Sequence, residues 1–245
     1  MAAMKKYYKH FIREYSLFIV LIGLIVIFSL STDNFLSYYN IINILKRISV
    51  TAIISVGTLF VIISGGIDLS VGAIAALASI ITATFFQAND SSFLLIGVLA
   101  VSAIGLGTII GMIVAKGRVS PIITTLAFLS IIRGGMMLYT DGFTIDMQPN
   151  ALIETIGWGK IGPIPVLVVI MIAAYVTGWI LLNKTRFGRY IFAIGGNEEI
   201  CILTGIKIDV VKVGVYIFAA TMSILAGLVM TARLNVGQPT AAMGI

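Results

Sequence analysis

Seven apolar runs, each close to the roughly 20 residues a helix needs to cross a bilayer, dominate this chain of 245 residues. They fall near 15–32, 48–64, 69–86, 93–115, 121–139, 165–182 and 211–232. In hydrocarbon every backbone N–H and C=O must find its partner within the protein, so runs of this length read as spanning helices. The expected fold is all-α, a polytopic transmembrane bundle with about seven spans. Composition agrees: 59% of residues are hydrophobic and 11% charged, against about a quarter charged in a soluble domain. The first run follows Lys5, Lys6, Lys9 and Arg13. No small-x-small cleavage site precedes Asp33 and further spans follow, so it reads as an uncleaved anchor rather than a signal peptide.

The cations set the orientation. With the N-terminus inside and strict alternation, 11 of the 16 Lys and Arg residues fall on inner segments: Lys5, Lys6, Lys9, Arg13, Lys116, Arg118 and five within 183–212. Lys46, Arg47, Lys160 and Arg233 fall on outer ones. This asymmetry predicts a cytosolic N-terminus, a cytosolic 183–212 loop and an outward Thr140–Ile164 loop. The net charge of +6 lies beside the span ends, where anionic lipid headgroups attract it. Nucleic acid is therefore not an expected partner. The lone Cys201 and the lone His10 leave no disulfide, no CxxC site and no His cluster, so no metal or other cofactor is expected.

Small residues recur every four positions in the fourth run (Ala103, Gly107, Gly111, Ala115) and the seventh (Ala219, Ser223, Gly227, Thr231). The third carries Gly72 and Ala76, with Ala75 and Ser79 close by. Such stripes let membrane helices approach closely. The hydroxyls of Thr51, Ser55, Thr58, Ser64, Thr82, Thr84, Thr124, Thr125 and Ser130 can bond back to their own helix carbonyls. Arg133, beside Gly134 and Gly135, is the one ionisable residue well inside a run. Two readings stand for it: a part of a translocation path, or an Arg that snorkels to the nearby interface. No spanning Asp/Glu/His relay of the kind an ion-coupled carrier uses is present.

Two polar motifs stand out. In Ser64-Gly65-Gly66-Ile67-Asp68-Leu69-Ser70-Val71-Gly72, the glycines permit a tight reversal. Asp68 is expected to cap the third helix, and the alternative is a gate at the cytosolic mouth formed by Gly65, Gly66, Asp68 and Ser70. In the 183–212 loop, Gly195-Gly196 is expected to break the chain and Asn197 to N-cap a short helix. Glu198 and Glu199 then sit in its dipole-favoured first turn, and Gly205 ends it. Ile200, Ile202, Leu203 and Ile206 give that helix an apolar face. The face suits either lipid or a groove on a cytosolic partner, and the two leading acids favour the partner. Gly157-x-Gly159-x-x-Gly162 matches a dinucleotide fingerprint by chance, since no βαβ unit surrounds it, and no GxxxxGK[ST] occurs. No nucleophile–base pair is readable, so the chain is not expected to be an enzyme.

The stretches G-G-I-D-L-S-V-G at 65–72, T-R-F-G-R-Y at 185–190, A-I-G-G-N-E-E at 193–199 and L-T-G-I at 203–206 resemble the ribose-type sugar permeases of bacterial ABC importers. That branch includes ribose, xylose, arabinose, galactoside and autoinducer-2 permeases. The resemblance implies a single transmembrane permease domain over 1–245, with 183–212 as its cytosolic coupling loop. It also implies a bacterial inner-membrane location and three partners: an ABC ATPase, a second permease copy and an extracytoplasmic sugar-binding protein. Gly195, Gly196, Asn197, Glu198, Glu199 and Gly205 would then form the segment that the ATPase receives. Family members commonly read E-E-A-A-R there, whereas this chain has Glu198-Glu199-Ile200-Cys201-Ile202. Relatives also continue past A-A-M-G-I with further spans, so the domain is expected to be incomplete at its C-terminus. The expected function is ATP-driven monosaccharide import by alternating access. The alternatives are an ion-coupled secondary carrier and a shortened permease that does not transport.

Overall fold

In the computed structural model, the described residues are 2–32, 34–88 and 91–241, with side chains described from Tyr15 onward. The side chains of Lys5, Lys6, Lys9, His10 and Arg13, together with Asp33 and residues 242–245, lie outside them. The chain divides into two compact units, Met1–Leu45 and Lys46–Ile245.

In the first unit, α1 (Ala2–Ser31) carries the first apolar run. Its large side chains from Leu17 to Leu30 are mostly exposed, as the outer surface of a membrane helix is. Phe28 stacks on Phe35 with ring centroids 5.6 Å apart. Ser37 then opens α2 (Tyr38–Ile63) by accepting a hydrogen bond from the Asn40 N–H at 3.2 Å. The helix thus starts ten residues before the expected run. Lys46 and Arg47, expected on an outer segment between spans, are helical. A hydropathy window stops at those two charges, whereas the helix needs only a cap and a backbone free of breakers.

The second unit contains the rest of α2, α3 (Val71–Ala88), α4 (Ser92–Ala115), α5 (Pro121–Thr140), α6 (Ala151–Trp158), α7 (Val166–Lys184), α8 (Arg186–Gly196), α9 (Glu198–Leu203) and α10 (Ile208–Leu234). Among the described residues, six helices are long and apolar enough to cross a membrane, and Tyr15–Ser31 adds a shorter apolar stretch. These are the expected spans. The core is α10 packed on α4 and α3, and the small-residue stripes explain how. A Cβ placed on Gly107 would lie 2.5 Å from the Ile217 Cα, and one on Gly111 2.8 Å from the Val213 Cα. Gly227 rests against the Ala75 carbonyl. Backbones this close maximise dispersion contact, which is what lipid leaves available to hold helices together. One polar contact joins the same interface: Thr231 Oγ1 lies 2.8 Å from Ser79 Oγ.

The far side of the unit is tied down by short pairings. β1 (Ile145–Asp146) runs antiparallel to β4 (Val236–Gly237), and β2 (Lys160–Ile161) pairs with β3 (Ile164–Pro165). Gln87 Nε2 donates to the Asp146 carbonyl at 2.6 Å, and Lys46 Nζ sits 5.6 Å from the centre of the Trp158 ring. The apparent dinucleotide fingerprint has a packing role instead. Gly157 abuts the Ala232 carbonyl of α10, and Gly162 lies in the β2–β3 turn with φ +59°.

The hydroxyls behave mostly as expected. Ser55, Thr58, Ser64, Thr82, Thr124 and Ser130 each donate to a carbonyl three or four residues back. Thr84 Oγ1 is one departure, buried and without a partner among the described residues.

Candidate functional site

The opposite end of the second unit brings the two polar motifs together. The α2–α3 turn, the α4–α5 connection and the α9–α10 segment line one cleft of about 1070 Å³, which includes Gly65, Lys116, Arg118, Glu198, Glu199, Asp209 and Lys212. Loops far apart in sequence thus share one charged mouth.

Thr185 ends α7 and opens α8, its Oγ1 accepting from the Gly188 N–H at 3.2 Å. Gly188, Ile191 and Ile194 are buried, while Arg186 and Arg189 face outward. The helix runs through Gly196, so Gly195-Gly196 is not the expected break. Gly195 is there for proximity: its Cα hydrogen faces the Ile63 carbonyl at the end of α2, where any Cβ would collide. The chain breaks one residue later, at Asn197, with φ −160° and ψ 108°.

Asn197 Oδ1 accepts from the Ile200 N–H at 3.1 Å, the N-cap expected of it. Glu198 and Glu199 occupy the first turn of α9. Glu198 Oε2 also meets Lys212 Nζ of α10 at 2.7 Å, a pairing invisible to local sequence. At the other end Gly205 takes φ +76°. Its N–H donates to the Ile202 carbonyl and that of Ile206 to the Cys201 carbonyl, both at 3.1 Å, the paired bonds of a Schellman closure. The apolar face divides differently from the expectation. Cys201 is the buried anchor, while Ile200, Ile202 and Leu203 are 57%, 62% and 87% exposed.

The α2–α3 turn uses the same closure. Gly65 has φ +84°, with its N–H on the Ile62 carbonyl at 3.0 Å and that of Gly66 on the Val61 carbonyl at 2.9 Å. Asp68 does not cap α3 directly. Its Oδ1 accepts from the Ser70 N–H at 2.8 Å and the Ser70 hydroxyl at 2.6 Å. Ser70 takes the cap position, its carbonyl accepting from the Ile74 N–H at 2.9 Å. Asp68 lies two residues before the cap position and closes a local turn instead. Burial pushes its carboxyl up from the ordinary 3.8, and the bonds from Ser70 pull the other way.

Two residues that sequence reasoning underrated lie against this turn. Thr125 of α5 accepts from the Leu69 N–H at 3.1 Å. Tyr216 of α10 is buried with its hydroxyl unpartnered, beside Gly66. Their separations from the turn in sequence leave no local signal.

Arg133 is not brought into the cleft. It is half-buried on α5, eight residues beyond Thr125, which is about 12 Å along the helix. Among the described residues no cluster of His, Cys, Asp or Glu could hold a metal ion.

Residues 40–245 match the family described as branched-chain amino acid transport system / permease component. The ribose import permease protein RbsC of Haemophilus influenzae is 44% identical over 234 residues, covering 94% of this chain and 72% of the relative. RbsC of Bacillus subtilis is 41% identical, covering 91% and 70%. The L-arabinose transport system permease protein AraH of Escherichia coli is 30% identical, covering 94% and 70%. No solved structure matches the chain. The family match and these identities settle membership: the chain belongs to this family of multi-pass membrane permeases, in its ribose-type ABC importer branch.

Proposed function

We propose that the chain is the transmembrane subunit of an ATP-driven importer of ribose or a related monosaccharide. The α8–α9 segment, with Gly195, Gly196, Asn197, Glu198, Glu199 and Gly205, couples it to a separate ATPase. The observation that carries this reading is a short, rigid helix with its apolar side chains uncovered. Both ends of α9 are closed by backbone and cap bonds, yet Ile200, Ile202 and Leu203 face away from the protein. An apolar face of this size preceded by two acids suits a groove on a partner.

The contacts behind α9 give motion there a route into the membrane. Glu198 ties it to α10 through Lys212, and Gly195 ties α8 to the end of α2. When the ATPase closes, its work shifts these helices between two packed arrangements, and sugar is released inward. No bond in the sugar is made or broken. The permease domain extends over 1–245, with 183–212 as its coupling loop. The N-terminus and the α8–α9 end are cytosolic, in a bacterial inner membrane. In support, the turn at 65, the connection at 116–121 and the 198–212 segment line one cleft, as alternation requires. The set at 46, 87, 146, 158 and 236 is held together by separate contacts. The remaining partners are a second permease copy and an extracytoplasmic sugar-binding protein.

Because Glu198 has an internal partner, the cleaner test changes Glu199→Arg together with Leu203→Asp. The variant should insert normally and lose the ATPase on purification. Undiminished co-purification would overturn the docking role.

A further inference from the structure

Between α2 and the start of α3 lies a groove of about 530 Å³, within the range of about 300–1,000 Å³ typical of small-molecule pockets. Thr51, Ser55 and Thr58 point into it from one stripe of α2, and Asp68 closes its end. The hydroxyl protons of Ser55 and Thr58 are already committed, to the Thr51 carbonyl at 2.8 Å and the Ile54 carbonyl at 3.2 Å. Their oxygens therefore meet a ligand as acceptors. Asp68 adds a stronger acceptor. Its Oδ1 takes both Ser70 bonds, and no hydrogen bond or ion pair from a described residue reaches Oδ2. Thr51 and Ser55 are exposed, although polar groups facing lipid are costly.

We propose that this groove is a stretch of the translocation path, and that it binds a sugar through the sugar's own O–H donors. A row of acceptors ending in a carboxyl group matches a ligand that presents several donors along one edge. The apolar lining, including Leu59 and Val71, suits the C–H faces of the same ligand. The groove also adjoins the lever. Asp68 sits five residues beyond Ile63, whose carbonyl touches Gly195 of α8. Movement of α8 shifts Asp68 against the α2 hydroxyls and opens the row of acceptors. This assignment rests on the importer reading and gives it a substrate contact.

The test places single cysteines at Thr51, Ser55 and Thr58 in the full chain with Cys201→Ala, in native membrane vesicles opened to both sides. Ile96→Cys, on an exposed apolar face of α4, serves as the lipid-facing control. A charged, water-soluble thiol reagent should label the three groove positions and not the control. Millimolar D-ribose, L-arabinose or D-allose should slow labelling at least threefold, and Asp68→Asn should remove that protection while the ATPase still co-purifies. Groove cysteines that fail to label overturn the proposal. So does labelling that none of the three sugars slows, or that sodium or an alkylammonium ion slows and sugars do not. The importer reading fails separately, if the unmodified chain shows no ATP-dependent uptake of these sugars whatever the labelling pattern.

Discussion

The α3–α4–α10 core and the α8–α9 end use the same device and leave different things uncovered. In both, a glycine lets one backbone touch another: Gly107 against Ile217 in the core, Gly195 against Ile63 at the end. In the core Gly107 is buried and Ile217 half-buried, each against the other helix. At the end the touching glycine leads into α9, whose Ile200, Ile202 and Leu203 are exposed. Close packing alone therefore does not distinguish scaffold from machine. The distinction lies in what stays open among the described residues: the core leaves the Thr84 hydroxyl unpartnered but buried, whereas the other end leaves three apolar side chains on α9 exposed and a carboxyl oxygen at Asp68 free, with the Tyr216 hydroxyl behind the turn.

Four changes would break or sharpen that contrast. The largest effect is expected from Gly107→Leu, which forces a side chain into the α10 backbone. It should destabilise the fold by about 3 kcal/mol or more, read as early loss of the monodisperse species on heating in detergent. Thr231→Val removes the polar contact with Ser79 inside the same core and should cost about 1 kcal/mol by the same assay. Glu198→Gln cuts the tie between α9 and α10 and should change global stability by only ~0.5 kcal/mol, because Glu198 is half exposed. Amide exchange should nevertheless rise in α9 and stay unchanged in α3.

The smallest effect is a pH dependence. Burial holds the Asp68 carboxyl above 3.8, so the folded chain keeps that proton to higher pH than the unfolded one. Stability contributed by Asp68 then falls as pH rises from about 3.8 through the folded value and levels off above it. Asp68→Asn should flatten that slope in thermal melts taken across acid pH.

The sequence made the spans legible because lipid imposes a length and a composition on each one. It made the small-residue stripes legible too, and those stripes are where α10 meets α3 and α4. The start of α2 was not legible, since Lys46 and Arg47 interrupt hydropathy without interrupting a helix. At Gly195-Gly196 the expected break falls one residue further on, and Gly195 serves close approach instead. A glycine that breaks a helix and one that lets a neighbour approach look alike locally, and only the Ile63 carbonyl tells them apart. Cys201 as the anchor, Thr125 as the clasp on the turn and Lys212 as the partner of Glu198 all depend on contacts across loops or between helices. Local pattern carries no such information.

The central claim is that this chain moves sugar only when a separate ATPase works on its α8–α9 end. The most direct measurement is uptake of radiolabelled ribose by proteoliposomes holding the chain with its ATPase and binding protein, under ATP depletion and under proton-gradient collapse. Uptake should stop without ATP and survive loss of the gradient. Uptake that persists without ATP and collapses with the gradient would contradict it.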